Sequence, residues 1–196
     1  MSPRFDARSF GRPHLDGGAH EDEAGMLAAV ATIGQLVAGE VDDGIPSERI
    51  VVGGFSQGSV ISLLTGLTNE RRLAGLVCLS GWLGLSGKAA ELQTAHAKEL
   101  AIFWGHGMDF CSSGTTFSAV SADSGPMTAG TSDPVVPYTR AQESVELLQG
   151  LGFGQVELHT YSGMPHSLCA QEQQDVAEFI AKVSMSLRRP WGSRPG

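Results

Sequence analysis

Apolar residues recur at helical spacings in two long segments of this chain, one near each end. The first segment begins with Glu21-Asp22-Glu23, whose charges suit the positive end of a helix dipole, and it predicts a helix to about Val41. Its expected inward face comprises Met26, Leu27, Val30, Ile33, Leu36 and Val37. The second segment predicts a closing helix over 171–187. Its expected inward residues are Val176, Phe179, Ile180 and Val183.

Four short apolar runs between these helices predict β-strands. They cover residues 50–53, 75–80, 101–104 and 156–161, and the third is expected to end at Gly105-His106-Gly107. Segments with helical or partly helical character lie between the strands, over 57–67, 89–99 and 140–151. Apolar strands that alternate with helices are typical of a parallel sheet covered on both faces. The pattern therefore predicts an α/β fold with a doubly wound, mostly parallel sheet.

Residues 108–130 interrupt this alternation. Ser, Thr, Gly and Ala make up 14 of these 23 residues, without periodicity and with little charge. Such a composition predicts an irregular insertion. The chain from 1 to 187 is otherwise predicted to form a single domain, which opens on a loop over 1–20. Residues 188–196 are predicted to be a flexible tail.

The stretch around Ser56 combines an apolar strand, a Gly-x-Ser-x-Gly motif and the start of a helix. A strand that turns sharply into a helix brings the two backbones together, so side chains at Gly54 and Gly58 would collide. The turn strains the serine and exposes its hydroxyl, and the N–H of Gln57 then points to where a carbonyl oxygen would lie. This arrangement is the nucleophile elbow of α/β-hydrolases.

Composition and charge argue against several classes of function. A net charge of −8 argues against a nucleic-acid partner, because phosphate binding needs clustered Lys and Arg. The N-terminus lacks an apolar signal core, and no apolar run approaches the roughly 18–20 residues of a membrane span, so no stable membrane insertion is expected. Three widely spaced cysteines, Cys78, Cys111 and Cys169, fit neither a disulfide framework nor a zinc site. We therefore expect a cytoplasmic protein that also has access to the nucleus.

A serine nucleophile needs a base to take its proton and a carboxylate to orient that base. In a doubly wound sheet these groups come from loops at the carboxyl ends of different strands. The chain order in α/β-hydrolases is Ser, acid, His, and this chain supplies Ser56, Asp133 and His166 in that order. Asp133 precedes a proline and could instead be a turn residue. Asp109 is a rival acid, because it lies closer to the end of the third strand.

His166 is the histidine whose position best suits the base. It follows the fourth strand in a loop before the closing helix, although an ordinary surface histidine could occupy the same place. The other histidines lie in less suitable places: His14 and His20 precede the elbow, His96 is in a polar helix, His159 is inside a strand and His106 ends the third strand. The elbow, the loop Asp and the loop His together define the predicted triad.

The elbow, Gly53-Gly54-Phe55-Ser56-Gln57-Gly58, resembles that of the acyl-protein thioesterases, a lysophospholipase/carboxylesterase-like branch of the α/β-hydrolases. Other segments agree with the family in order. They are Phe5-Asp6, Glu21-Asp22-Glu23, Gly44-Ile45-Pro46, Leu73-Ala74-Gly75, Ser80-Gly81-Trp82-Leu83, Gly105-His106-Gly107, Asp133-Pro134-Val135-Val136-Pro137, and Gly163-Met164-Pro165-His166-Ser167 with Cys169. The resemblance covers nearly everything from residue 5 to residue 187 except the insertion.

The resemblance implies hydrolysis of thioester-linked palmitate on cytosolic proteins, with some activity on lysophospholipids and small esters. It implies the same triad, with the Gln57 N–H as an oxyanion donor, and it assigns Trp82 to substrate binding. A covalent acyl-enzyme on serine needs no metal and no cofactor. Two alternatives stay open. One is a carboxylesterase or lysophospholipase acting on small esters, and the other is a binding remnant with impaired catalysis.

The chain departs from the family pattern in two places. Family members begin with strands that end in a His-Gly-Leu-Gly-Asp loop, which lends a second oxyanion donor, and no segment here matches it. We therefore expect an N-terminally truncated sheet that lacks the strand beside 50–53, and lower activity than in a full-length relative. Removing 108–130 joins Gly107 to Thr131 and restores the family spacing. We interpret the insertion as a retained intron.

Overall fold

The computed structural model of the chain describes residues 21–108 and 133–185. The predicted N-terminal loop, residues 109–130 of the predicted insertion and the predicted tail lie outside the described residues. The described helices and strands are, in chain order, α1 Glu23–Asp42, β1 Val51–Phe55, α2 Gln57–Thr68, β2 Gly75–Leu79, α3 Ala89–Leu92, β3 Ile102–Met108, α4 Tyr138–Gly150, β4 Val156–Ser162 and α5 Ala170–Met185. Short 3-10 turns lie at Ser47–Arg49, Ser86–Lys88 and Ala97–Glu99.

The four strands form one parallel sheet in the order β1-β2-β3-β4. This confirms the predicted α/β class. The predicted end of the third strand is wrong, because β3 continues through Gly105-His106-Gly107 to Met108. These residues pair with β4 from His159 to Ser162, so the ladder carries the strand past the glycines. All four carboxyl ends lie at the same edge of the sheet, where loops that carry chemistry belong.

Helices cover both faces of the sheet. On one face, alternate residues of β2 and β3 pack with α2 and α4 in a large buried cluster that includes Cys78 and Trp104. On the other face, Val77 and Phe103 pack against Phe179 and Val183 of α5. Ile180 is 40% exposed, so its predicted inward position is wrong. It lies one residue out of the 176-179-183 spacing that faces the sheet.

Helix α1 packs on the outside of α2. Asp22 caps its first turn, because Oδ1 accepts the N–H of Gly25 at 2.9 Å. Met26, Val30 and Val37 are buried as predicted, whereas Leu36 is 63% exposed and its predicted inward position is wrong. The buried residues follow three- and four-residue steps along one narrow face, and Leu36 lies outside that face.

The composition of α1 also corrects the expectation that no apolar run has the length of a membrane span. Glu23–Asp42 is 20 residues long, with a mean hydropathy of 1.5 over its best window, and meets the length and composition criteria for such a helix. In this structure its buried side chains pack against those of α2 in one apolar cluster.

Strand β1 is less buried than the sequence predicted. Its residues are intermediate in exposure, except Gly53, which is exposed. Within residues 21–108 and 133–185, β1 pairs with β2 alone. A strand with one partner keeps one row of backbone groups outside the ladder, which accounts for its partial exposure here.

Candidate active site

Ser56 lies between β1 and α2 in a conformation that serine rarely adopts. Its φ is 55° and its ψ is −120°, a region that favours glycine and costs another residue on the order of 1–3 kcal/mol. Its N–H donates to the carbonyl of Leu79 at the end of β2, at 2.8 Å, and its carbonyl accepts from Ser59 N–H at 3.0 Å. The hydroxyl does not cap α2. The backbone thus holds the residue while its Oγ stays available for chemistry.

The two glycines that flank Ser56 differ in what they contribute. A Cβ at Gly54 would overlap the backbone C and O of Gly58 and lie 2.7 Å from the Ser59 nitrogen. The predicted close approach of strand and helix is therefore real at Gly54. A Cβ at Gly58 would meet nothing within 4 Å, so the prediction that a side chain there would collide is wrong. Gly58 contributes its backbone to the contact, because its C and O atoms are those that a Cβ at Gly54 would meet.

Asp133 follows β3 in the chain and precedes α4. It is 2% exposed. Its Oδ1 accepts two backbone N–H groups, from Val135 at 2.9 Å and from Val136 at 2.8 Å. These bonds fix the plane of the carboxyl group and leave Oδ2 directed to another partner.

That partner is His166, in the loop between β4 and α5. Its Nδ1 lies 2.6 Å from Asp133 Oδ2, and its side chain is 16% exposed. A carboxylate can only accept, so Nδ1 carries the proton and Nε2 carries a lone pair. On its other side the imidazole packs against the ring of Phe55, with centroids 4.7 Å apart. Since Phe55 directly precedes Ser56, the base lies beside the elbow.

The structure thus brings together residues that are far apart in sequence. The elbow follows β1, Asp133 follows β3 and His166 follows β4, and all three positions are at the carboxyl edge of the parallel sheet. Gln57 is the first residue of α2. Backbone N–H groups at the start of a helix lack intrahelical partners and are available to bind an anion. Its role as oxyanion donor stays a prediction.

Trp82, predicted to bind substrate, is 7% exposed. It packs in the apolar cluster that also contains Met26 and Val136. The Arg140 guanidinium lies 5.2 Å from its ring centroid, and its indole N–H donates to Glu21 at 3.5 Å. Val136 of the same cluster donates its N–H to the Asp133 carboxylate, so the cluster that contains Trp82 adjoins the loop of Asp133. Its contact with substrate stays a prediction.

The histidines judged unsuitable as the base have other surroundings. His106 is fully buried, its Nδ1–H donates to the Gly107 carbonyl at 2.9 Å, and burial lowers its pKa. His159 stacks on Phe103 and lies 3.6 Å from Glu157, and His96 is exposed. His14, His20 and the rival acid Asp109 lie outside the described residues. In the described parts of the chain, no group of three or more His, Cys, Asp or Glu could hold a metal ion.

Comparison with known proteins identifies the family of this chain. The sequence pattern of the phospholipase/carboxylesterase family matches residues 10–112 and 125–184. The chain belongs to this family. The unmatched residues between these two segments, 113–124, fall inside the predicted insertion. Membership in the phospholipase/carboxylesterase family makes the protein a hydrolase.

Named relatives point to the same family. Acyl-protein thioesterase 1 of Cryptococcus neoformans is 38% identical over 195 residues, which cover 93% of this chain and 71% of that protein. The namesake from Mycosarcoma maydis is 44% identical, and the match covers 83% of this chain and 63% of that protein. Among solved structures, SOBER1 of Arabidopsis thaliana has a TM-score of 0.68 at 24% identity, over 83% of this chain and 66% of its own, which establishes the shared fold.

Two contributors to the site were not predicted. One is Phe55, whose ring packs on His166, and the other is Glu172, a fully buried acid in the first turn of α5. Phe55 gave no signal, because an aromatic residue in a strand normally indicates core. Glu172 had a weak one, since it follows Cys169 at the three-residue spacing of a helix capping box.

Proposed function

We propose that this protein is a serine hydrolase that cleaves thioester-linked fatty acyl groups from proteins, with Ser56, His166 and Asp133 as its triad. The observation that carries the proposal is the 2.6 Å bond between Asp133 and His166 beside a strained serine elbow. The names of the relatives, acyl-protein thioesterases, support the substrate class.

In the proposed acylation step, His166 Nε2 takes the proton of the Ser56 hydroxyl. The serine oxygen bonds to the thioester carbonyl carbon, and the carbonyl oxygen becomes an oxyanion. The C–S bond then breaks, and His166 returns the proton to the departing cysteine sulfur. Asp133 does not itself take up a proton; it holds the imidazole in the required tautomer and stabilises its charged form.

Deacylation reverses these roles with water as the nucleophile. His166 takes a proton from water, whose oxygen attacks the acyl-serine carbon, and the free fatty acid leaves as Ser56 regains its proton. A cysteine thiol has a pKa of about 8.5, so its thiolate needs less help from an acid than an alkoxide would. The N–H of Gln57, at the amino end of α2, is the proposed donor to the oxyanion, and one such donor is worth about 10²–10³ in rate.

The substrates we propose are S-acylated, and specifically palmitoylated, cytosolic proteins, and the proposed site of the activity is therefore the cytoplasm. The described cysteines, Cys78 and Cys169, are free thiols, which suits a reducing compartment. The family description, phospholipase/carboxylesterase, favours a second candidate: an esterase acting on lysophospholipids or small esters. Both candidates use the same triad and differ in the leaving group.

Labelling with a fluorophosphonate probe tests the proposed nucleophile. The probe should react with the wild-type protein and not with Ser56→Ala, because only an activated serine attacks it. Ser184→Ala, which removes an exposed serine of α5, is the matched control and should label like wild type. Equal labelling of Ser56→Ala and wild type, or no labelling of wild type, would refute the triad.

A chain-length series separates the two candidate substrates. Thioesters and oxygen esters with matched acyl chains should be compared by kcat/KM. A thioesterase for palmitoylated proteins should prefer long-chain thioesters. A preference for short oxygen esters or for lysophospholipids would select the esterase candidate instead.

A further inference from the structure

The Gly105-His106-Gly107 segment of β3 has no part in the triad, yet both of its glycines contact the chain on either side of His166. A Cβ at Gly107 would overlap the carbonyl oxygen of Met164, two residues before the histidine. A Cβ at Gly105 would overlap Oε1 of Glu172, six residues after it. Because Gly105 and Gly107 lack side chains, the loop that carries His166 and the start of α5 pack directly on β3.

Glu172 is an unusual residue to find at this contact. It is fully buried, and neither carboxyl oxygen makes a hydrogen bond to any other described residue. An ionised carboxylate is strongly disfavoured in such a place. Burial raises the pKa of Glu172 to about 7, against the opposing effect of the Cys169 backbone N–H. The carboxyl is therefore largely uncharged at acid pH and about half ionised near pH 7.

The position of Glu172 links it to His166 through the backbone. It is the third residue of α5, and its N–H donates to the sulfur of Cys169 at 3.4 Å. This N–H to sulfur bond is one half of a helix capping box, with cysteine in place of serine. Cys169 follows His166 by three residues, so the first turn of α5 sets where the loop carrying the imidazole ends.

We propose that Glu172 is a positioning residue for His166: its buried carboxyl, seated on Gly105, fixes the first turn of α5 and thereby the loop that presents the imidazole to Asp133. The catalytic part of this inference rests on the proposed function, because it takes His166 as the base. When Glu172 loses its proton, the carboxylate must draw in water or leave Gly105. The loop then loses its support.

Among the described residues, no other ionisable side chain lowers the pKa of Glu172. Asp175, in the same helix, raises the pKa of Glu172 by its charge. Tyr161 of β4 is neutral near pH 7, because burial raises its pKa. Cys169 contacts Glu172 through its sulfur, which accepts the Glu172 N–H. Strand β3 presents Gly105 and strand β2 presents Leu79, which carry no charge. Titration near pH 7 is therefore assigned to Glu172 itself.

The pH dependence of kcat tests this role in wild type, Glu172→Gln and Glu178→Gln. Glutamine imitates the neutral carboxyl, so Glu172→Gln should match wild type below about pH 6.5. Wild-type kcat should then fall by about tenfold between roughly pH 7 and pH 8.5, as expected for loss of one essential proton, whereas Glu172→Gln should keep its activity. Glu178→Gln, which removes an exposed acid of α5, should follow wild type. Coincident profiles of wild type and Glu172→Gln would overturn the proposal.

Hydrogen exchange gives a readout that does not depend on catalysis. Protection of the amides in 163–172 should decrease in wild type between about pH 6 and pH 8, after correction for intrinsic exchange, and should stay constant in Glu172→Gln. Gly105→Ala should reduce protection already at pH 6. Equal protection in wild type and Glu172→Gln at both pH values would contradict the proposal. A protein that fails fluorophosphonate labelling but shows the pH-dependent protection would lose the proposed function and keep this support of the loop.

Discussion

At the scale of single residues, Asp133 shows how backbone donors can prepare a carboxylate for one partner. Two N–H groups, from Val135 and Val136, occupy Oδ1, and Oδ2 is left to accept from His166. The tautomer of the imidazole follows from this, because a carboxylate cannot donate. The sequence left Asp133 and Asp109 as alternative acids. Asp133 bonds to His166, whereas Asp109 lies outside the described residues, so the choice of Asp133 as the acid stays a prediction.

Asp133→Asn should lower kcat by about 10³–10⁴ with little change in thermal stability. The amide oxygen can still accept from Val135 and Val136, but its NH₂ group then faces His166 Nδ1 and favours the wrong tautomer. Steady-state kinetics on a thioester, with Tm measured in parallel, check this. Glu143→Gln removes an exposed acid of α4 and is the matched control. Wild-type kcat in the Asp133→Asn variant would mean that Asp133 does not orient the base.

Substitution by alanine should affect stability very differently at the two glycines of the elbow. Gly54→Ala should destabilise the protein by about 3 kcal/mol or prevent folding, because the new methyl group overlaps backbone atoms of α2 that cannot move aside. Gly58→Ala should stay within about 1 kcal/mol of wild type, since its methyl group meets open space and alanine favours a helix. Urea unfolding of both variants measures the difference. Similar losses in the two would contradict the close approach of the strand and helix backbones at Gly54.

At the scale of elements, α5 shows how far a helical pattern predicts burial. Four apolar residues share the pattern, but only Phe179 and Val183 are fully buried against the sheet. Ile180 is part of the apolar sequence pattern and not of the packed face. Residue spacing locates the apolar face of a helix to within about one residue. Contact with the neighbouring layer then decides which residues of that face are buried.

Substitution of neighbouring residues in α5 measures this difference. Phe179→Ala should cost about 3–5 kcal/mol, because it leaves a cavity where the ring packs 5.7 Å from that of Phe103. Ile180→Ala should cost less than about 1 kcal/mol, because the side chain is 40% exposed. Free energies of unfolding from urea titration provide the test, and equal costs would show that α5 is rotated from the orientation described.

At the scale of the whole molecule, one buried acid should give the stability a distinctive pH dependence. The pKa of Glu172 is raised from 4.5 to about 7 in the fold. Between these values the unfolded chain binds fewer protons than the folded protein at this site, so stability falls as pH rises from about 4.5 to 7 and levels off above it. The loss is on the order of 3 kcal/mol for a shift of this size.

This dependence should be absent in Glu172→Gln. We expect the free energy of unfolding of wild type, relative to that variant, to decrease between about pH 5 and pH 7.5. Groups common to both proteins, such as Glu157 with its pKa lowered by Lys182, cancel in the comparison. Parallel stability curves for the two proteins would show that Glu172 is not held neutral by the fold.

Much of the architecture could be predicted because it depends on local patterns. Apolar runs separated by helical periodicity indicated each of the four described strands, and the parallel direction of the strands followed from their alternation with helices. Strand boundaries were predicted less accurately where hydrogen bonding to a neighbouring strand extended a strand beyond its apolar run. Gly105-His106-Gly107 is read from sequence as a strand end, yet it continues β3 because β4 supplies partners for its backbone.

The sequence by itself determined the chemistry available to this protein: a serine between two glycines after a strand, an acid and a histidine in the order of an α/β-hydrolase, and the family to which they belong. These are properties of residue type and order, which a chain carries without being folded. The tertiary structure alone decided which groups meet. It put Asp133 Oδ2 on His166, the ring of Phe55 beside the imidazole, and the carboxyl of Glu172 on Gly105. Such contacts join residues up to more than a hundred positions apart, and their distances and desolvation arise only when the layers pack.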